Sequence, residues 1–236
     1  MQGVYSFAEV NFLVEYKYRY TEELFKPYKV SENPSATITL TDSDYEFERQ
    51  RSSAPIEYLE NLAILRKIIV ILLTEHKAVL FHGSAIKCGE NGFLFTAPSG
   101  TGKSTHTRLL KEYLGEKVSY INDDKPILKV GSNGVTIYGS AWNGKHWLGE
   151  NTSAPLKAIC VIKRAENNSI EKLDKALAVK TLLEQTVGYA NKEQAIKLLE
   201  VISGIVDSVD FYTLYCNKDI SAAKTSHEGL ILNYEN

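Results

Sequence analysis

Cysteine is scarce in this sequence, which contains only three, and no two of them stand close together. Their number is odd and none belongs to a C-x-x-C pair, so we expect neither a disulfide framework nor a structural zinc site. This usage is typical of a reducing compartment, so we expect a cytoplasmic protein. The three residues are Cys88, Cys160 and Cys216.

The sequence also lacks an excess of charge of either sign and a long apolar run. It has 27 basic and 29 acidic residues, a net charge of -2, so no broad electropositive face and no nucleic-acid partner are expected. The most apolar stretch, residues 68–73, is too short and too closely flanked by charge to span a bilayer, so no membrane partner is expected. Residues 1–5 show no basic segment followed by an apolar run, and no signal peptide is expected.

What remains is the composition of an ordinary soluble globular protein, with 44% hydrophobic and 24% charged residues. A chain of 236 residues is long enough for one large domain, or one domain with a small appendage. We predict a small β-rich unit over residues 1–53 and a larger domain over residues 54–236. Within the first unit we predict strands at 10–14 and 36–40, a short helix at 20–28, and a polar linker or solvent-facing edge at 41–53.

The larger predicted domain alternates strands and helices. It opens with a long helix after Pro55, because apolar residues recur there at spacings of three and four. An Asn-Gly turn signal at residues 91–92 and a Gly-Ser-Asn-Gly turn at 131–134 indicate hairpins. We predict strands at residues 78–86, 92–96, 118–121, 126–130, 135–138, 156–163 and 211–216, and helices at 103–114, 174–185, 192–203 and 220–230.

The segment Ala97-Pro98-Ser99-Gly100-Thr101-Gly102-Lys103-Ser104 fits the phosphate-loop (Walker A) pattern, with Ala97 in place of the first glycine. Backbone N–H groups of such a loop form an anion-binding nest, and the dipole of the following helix adds partial positive charge. Lys103 is expected to bridge the terminal phosphates and the Ser104 hydroxyl to ligate Mg²⁺. A chance match in a glycine-containing turn is the alternative. The predicted nucleotide-binding residues are Ser99, Gly100, Thr101, Gly102, Lys103, Ser104 and Thr105.

Asp123 and Asp124 follow the apolar strand that comes after the phosphate-loop helix. A carboxylate at that position can reach a metal ion held by Ser104. Two adjacent carboxylates can also divide the work, one toward the metal and one as general base. The alternative is an ordinary Asx turn leading into Pro126.

Two further features are candidates for chemistry. His82 ends a strand and could tune proton transfer, although a lone histidine in such a run is more often a satisfied structural residue. Residues 139–147 hold both tryptophans of the chain beside two glycines and two cations. This segment could be a lid or substrate clamp with Trp142 and Lys145, or a packed hairpin loop with solvated charges.

Asn217-Lys218-Asp219 is similar to the Asn-Lys-x-Asp motif with which GTPases read guanine. The aspartate comes one residue too early, so guanine specificity is not predicted.

Taken in order, Phe81-His82-Gly83, the phosphate loop and Tyr120-Ile121-Asn122-Asp123-Asp124 resemble the catalytic domain of bacterial HPr kinase/phosphorylase. The run from Ser99 to Thr105 also resembles ATP-dependent phosphoenolpyruvate carboxykinase. The resemblance covers roughly residues 78–151. It implies an α/β fold of the phosphoenolpyruvate carboxykinase/HPr kinase-like class, with a mixed β-sheet, the phosphate loop and flanking helices.

The resemblance also implies roles for individual residues. Lys103 and Ser104 would hold phosphate and Mg²⁺, Asp123 would take the proton from a substrate hydroxyl with help from His82, and Asp124 would ligate the metal. Thr105 stands where HPr kinases carry an acidic residue. The resemblance therefore does not extend to phosphorolysis or to HPr as the acceptor. It adds a homo-oligomer to the partners to be considered.

These features lead us to expect a kinase, a transferase that uses ATP and Mg²⁺ to phosphorylate a hydroxyl of a peptide, a protein serine or a small molecule. The alternative is a nucleotide-dependent peptide-binding module, or a slow ATPase without phosphotransfer. Convergence of Asp123, Asp124 and His82 on the phosphates would favour the kinase, and a wide separation would favour the binding module.

Overall fold

A computed structural model describes residues 1–188 and 191–234 of the chain. The described helices are α1 Arg19–Phe25, α2 Asp42–Arg49, α3 Ile56–His76, α4 Lys103–Leu114, α5 Lys175–Gln185, α6 Lys192–Ser208 and α7 Ile220–Gly229. The described strands are β1 Gln2–Phe7, β2 Val10–Glu15, β3 Ala36–Ile38, β4 Ala78–Leu80, β5 Ser84–Cys88, β6 Asn91–Thr96, β7 Val118–Asn122, β8 Ile127–Gly131, β9 Gly134–Tyr138, β10 Ser153–Arg164, β11 Ser169–Lys172 and β12 Asp210–Cys216. No described helix is long and apolar enough to cross a bilayer.

Residues 1–53 contain a three-stranded sheet in the order β1-β2-β3, antiparallel between β1 and β2 and parallel between β2 and β3. Strand β1 was not predicted from the sequence, and the prediction of a linker or solvent-facing edge at residues 41–53 was wrong, because α2 lies there. A capping box between Thr41 and Asp44 begins α2. The helix is rich in acidic residues, and two of them, Asp44 and Glu48, pair with Arg66 on α3, at 2.9 and 3.0 Å.

The larger sheet has nine strands and mixes parallel and antiparallel pairs, so the chain has the mixed α/β architecture that the hairpin signals predicted. Its main path runs β4-β8-β9-β10-β6-β5-β7, and β12 pairs with β10 and β11. The long β10 pairs antiparallel with β9 through its first residues and parallel with β6 and β12 through the rest. This strand therefore joins the two halves of the sheet.

The predicted single strand over residues 78–86 is divided into β4 and β5. The division occurs at Phe81-His82-Gly83, where successive backbone N–H groups change partners. The N–H of Phe81 donates to Pro126, that of His82 to Gln185 and that of Gly83 to Asp124, at 2.8 to 3.0 Å. The break brings His82 beside the end of β7 instead of leaving it within a continuous strand.

One hydrophobic cluster joins the N-terminal sheet to the larger domain. Phe7 and Phe25 of the first unit pack with Trp142 of the loop after β9, at ring-centroid distances of 5.3 and 5.5 Å. Ile64 and Leu72 of α3 belong to the same cluster. The three-stranded sheet is thus separate in its strand pairing but shares its core with α3.

Candidate functional site

The predicted phosphate loop connects β6 to α4, so the strand–loop–helix context that the motif requires is present. Gly100 and Gly102 have φ angles of 75° and 127°, a region that side-chain-bearing residues rarely adopt. Gly102 also stands at the N-cap of α4, which begins at Lys103. Because the first N–H groups of a helix have no partner within it, this end of α4 can bind an anion.

Lys103 is buried, and its Nζ donates a hydrogen bond of 3.0 Å to the carbonyl oxygen of Ala97 at the start of the loop. Burial lowers the pKa of Lys103, whereas the nearby carboxylates of Asp124 and Asp123 act in the opposite direction. The ammonium group is therefore held between the loop and the aspartate pair, where a bound phosphate would supply a second anionic partner.

The Asx turn at the end of β7 is made by Asn122. Its Oδ1 accepts hydrogen bonds from the N–H groups of Asp124 and Lys125, at 2.9 and 2.6 Å, and its Nδ2 donates to Ser140. The turn and the functional interpretation are compatible, because Asn122 forms the turn and leaves both aspartate side chains for other contacts.

Asp123 is buried and directed toward α4. Its Oδ1 accepts a hydrogen bond of 2.8 Å from the Ser84 hydroxyl. The Ser84 hydroxyl in turn lies 2.9 Å from that of Thr107, one turn beyond Ser104 on α4. This chain of contacts fixes the first carboxylate relative to the phosphate-loop helix.

Asp124 is more exposed than Asp123 and lies beside a lysine and a histidine. It forms an ion pair with Lys125, and its Oδ1 lies 3.6 Å from Nε2 of His82. The other ring nitrogen of His82, Nδ1, lies 3.0 Å from Oε1 of Gln185. Burial and the charge of Lys103 lower the pKa of His82 and favour the neutral ring, whereas Asp124 acts in the opposite direction. With Nδ1–H donated to the Gln185 oxygen, Nε2 is left able to take up a proton.

The loop after β9 reaches the aspartate pair through its backbone. A Cβ at Gly144 would lie 3.4 Å from the Asp123 carbonyl oxygen, so the loop passes close over the end of β7. Lys145 and His146 follow on the exposed side and line the same cleft. The lid role considered for Trp142 is not supported, because its side chain is buried and its Nε1 donates to Oδ1 of Asn61 at 2.8 Å.

Most of the predicted site residues line one open cleft of about 390 Å³. Thr101 lies on the other side of the loop, where its carbonyl oxygen accepts a hydrogen bond from Arg164. Arg108 was not predicted, and Gly144 and His146 were predicted only as part of the candidate lid segment 139–147. Arg108 could have been found, because it is four residues after Ser104 on the same helix face. The predicted residues in the cleft are His82, Ser99, Gly100, Gly102, Lys103, Ser104, Thr105, Asp123, Asp124 and Lys145.

The oxygen donors of the cleft fit Mg²⁺ bound together with substrate phosphates better than a metal ion held by protein side chains alone. Within residues 1–188 and 191–234, no group of three His, Cys, Asp or Glu side chains could hold a metal ion. Mg²⁺ is commonly bound through one or two carboxylates together with substrate phosphates. The Ser104 hydroxyl and the carboxylates of Asp123 and Asp124 supply oxygen ligands of that kind.

Comparison with known proteins finds similarity among solved structures but no sequence relative. No protein-family model matches the chain, and no curated protein matches it. Among solved structures, the chain is similar to the HPr(Ser) kinase/phosphatase from Coxiella burnetii, with 11% sequence identity and a TM-score of 0.39. The match covers 66% of this chain and 99% of that chain. With so low a TM-score, the match carries no information about the activity of this chain.

Proposed function

We propose that this chain is an ATP-dependent and Mg²⁺-dependent kinase that transfers the γ-phosphate to a hydroxyl group. The acceptor is a serine of a peptide or protein, or a small molecule. One observation carries the proposal: the phosphate loop, the aspartate pair and His82 all line a single cleft. A peptide-binding module or a slow ATPase is the alternative, but neither requires a carboxylate–histidine contact beside the phosphates.

In the proposed complex, the phosphates lie on the N-terminal N–H groups of α4, with Lys103 against the terminal ones. Ser104 and Asp124 would hold Mg²⁺, which neutralises charge on the phosphates when it is bound. Cationic side chains at the mouth of the cleft add to the positive field around the transferred group. They are Arg108 and Lys145.

The acceptor hydroxyl needs a base, and Asp123 is the first candidate. Its oxygen takes the hydroxyl proton as the new oxygen–phosphorus bond forms and the bond from the γ-phosphorus to the bridging oxygen breaks, releasing ADP. The 3.6 Å contact between His82 and Asp124 supports a second division of labour. In it, Asp124 and His82 face the acceptor while Asp123, tied to α4, faces the metal.

The phosphate site is tested with Lys103→Ala and a matched control, Lys117→Ala, at an exposed position after α4. Calorimetry with Mg²⁺-ATP is expected to show loss of binding in the first variant and wild-type affinity in the second, because Lys103 lines the cleft and Lys117 does not. Wild-type affinity in Lys103→Ala would show that the phosphates are not bound here.

Transfer is tested by incubating the protein with labelled ATP and candidate peptides or a cell lysate, then identifying the labelled species by mass spectrometry. Asp123→Asn is expected to keep ATP binding and to lose about 100-fold or more of the transfer rate, as for removal of a general base. Unchanged turnover would remove Asp123 as the base. The second division of labour predicts a different result. Asp124→Asn and His82→Gln would lose the transfer rate equally, and Asp123→Asn would change the dependence of the rate on Mg²⁺ concentration.

A further inference from the structure

A second cavity, of about 350 Å³, lies on the opposite side of the phosphate loop from the cleft. The two share Gly102 and Thr105, so the cavities meet at the first turn of α4. The second cavity is lined mainly by apolar groups from α4 and from the ends of β10 and β12. They are Leu109, Ile162, Ala165 and Cys216.

We propose that this second cavity binds the purine base of the nucleotide and prefers adenine to guanine. The assignment rests on the proposed triphosphate site, because the base must be reached from phosphates that lie on the loop. A nucleotide entering past Thr105 would leave its terminal phosphates beside Lys103 and bring its base against the apolar wall. The cavity volume is within the range of pockets that hold small ligands.

Arg164 gives the cavity a planar cationic wall. Its Nε donates to the Thr101 carbonyl oxygen at 3.2 Å, and a second guanidinium nitrogen donates to the Gly100 carbonyl oxygen. These two bonds hold the guanidinium against the phosphate loop, although the residue is exposed. A guanidinium plane stacks on aromatic faces, so Arg164 can cover a base while it supports the loop.

The side chains that would read guanine are already engaged. Oδ1 of Asn217 accepts a hydrogen bond from the N–H of Asp219 at 3.0 Å, and its Nδ2 donates to the carbonyl oxygen of Glu166 at 2.9 Å. The carboxylate of Asp219 caps α7 by accepting from the N–H of Ser221 at 2.9 Å. The N–H donors of guanine would therefore enter the cavity without a carboxylate partner, and unpaired buried donors weaken binding.

His106 lies on the same wall and is almost fully buried. Its Nε2 lies 2.9 Å from the Ser226 hydroxyl, which donates its own hydrogen to Ala223, so Nε2 carries the ring proton. Nδ1 is then an acceptor, and among the described residues it has no hydrogen-bond partner, but the atom is buried. The adenine preference therefore rests on the missing carboxylate partner for guanine and not on His106.

The test compares Mg²⁺-ATP, Mg²⁺-GTP and Mg²⁺-tripolyphosphate by calorimetry. Ala165→Phe fills the cavity, and Ala176→Phe at an exposed position on α5 is the matched control. We expect the wild type to bind ATP about tenfold more tightly than GTP. Ala165→Phe should weaken ATP binding by about tenfold and leave tripolyphosphate binding unchanged, whereas Ala176→Phe should change neither.

Each contrary result has a distinct meaning. Wild-type ATP affinity in Ala165→Phe, or a parallel loss of ATP and tripolyphosphate binding, would overturn the base site. Equal affinity of the wild type for ATP and GTP would overturn the adenine preference. A wild type that binds neither ATP nor tripolyphosphate would instead contradict the proposed phosphate site.

Discussion

Asp123 and Asp124 are adjacent in the sequence but have different surroundings. Asp123 is buried against Ser84, whereas Asp124 faces His82 and Lys125. The sequence predicted that one carboxylate would bind metal and the other act as a base, because the pair follows an apolar strand. It could not predict their partners, since Ser84 and His82 are about forty residues away and are brought close only by the break between β4 and β5.

Burial also sets the charge state of His106, outside the cleft. Burial lowers the pKa of His106 from 6.5 to about 4. His106 of the unfolded chain is protonated at a higher pH than the buried side chain. The free energy of unfolding should therefore fall as the pH drops from 6.5 to about 4. A shift of this size corresponds to about 3 kcal/mol, which is present above pH 6.5 and lost by about pH 4.

Urea unfolding at pH 7.5, 5.5 and 4.5 measures this loss, and His106→Gln removes the titrating group. The variant is expected to lose less stability than the wild type across the same interval. A pH dependence as steep in His106→Gln as in the wild type would show that His106 does not titrate in this way.

At the scale of elements, α4 was predicted with its observed bounds and α2 was missed. The signals for α4 are local, because the glycines of the phosphate loop fix its start and Gly115 its end. The start of α2 has a local signal in the Thr41–Asp44 capping box, but its many charged residues resemble a linker, and their partners Arg66 and Lys67 lie on α3. Four residues of β11 were missed for a similar reason, since that short strand forms only by pairing with β12.

Glu60 is the main polar connection between α3 and the N-terminal unit. It is fully buried and accepts hydrogen bonds from the N–H groups of Lys17 and Tyr18 and the hydroxyls of Thr21 and Tyr45, at 2.6 to 3.2 Å. One carboxylate therefore satisfies donors from three separate segments. This network could not be predicted, because the helical periodicity of α3 predicts only its apolar face.

Glu60→Gln should destabilise the protein by about 2 to 4 kcal/mol, because the amide group presents donors where the carboxylate had only acceptors. Urea unfolding measures the change. Glu75→Gln, at an exposed position near the end of the same helix, is the matched control and should stay within about 0.5 kcal/mol of the wild type. Equal stabilities of the two variants would show that the buried network contributes little.

At the scale of the whole molecule, the loop after β9 links the N-terminal unit to the cleft. Trp142 is anchored in the shared core between Phe7 and Phe25, and Lys145 lies at the cleft three residues later. The sequence indicated either a lid or a packed hairpin loop for this segment, and it did not distinguish the two ends. The structure separates a fixed end from an exposed end, because only Trp142 meets the aromatic cluster.

The two tryptophans provide a direct test of this division, because Trp142 is buried and Trp147 is 59% exposed. Trp147→Phe leaves Trp142 as the only tryptophan, and Trp142→Phe leaves Trp147. Fluorescence titration with Mg²⁺-ATP should change the emission of Trp147, which directly follows the cleft-lining His146, and leave that of Trp142 nearly constant. Lys103→Ala in each background is the control and should abolish the response. If Trp142 responds as strongly as Trp147, nucleotide binding reaches the shared core, and this end of the loop is not a fixed anchor.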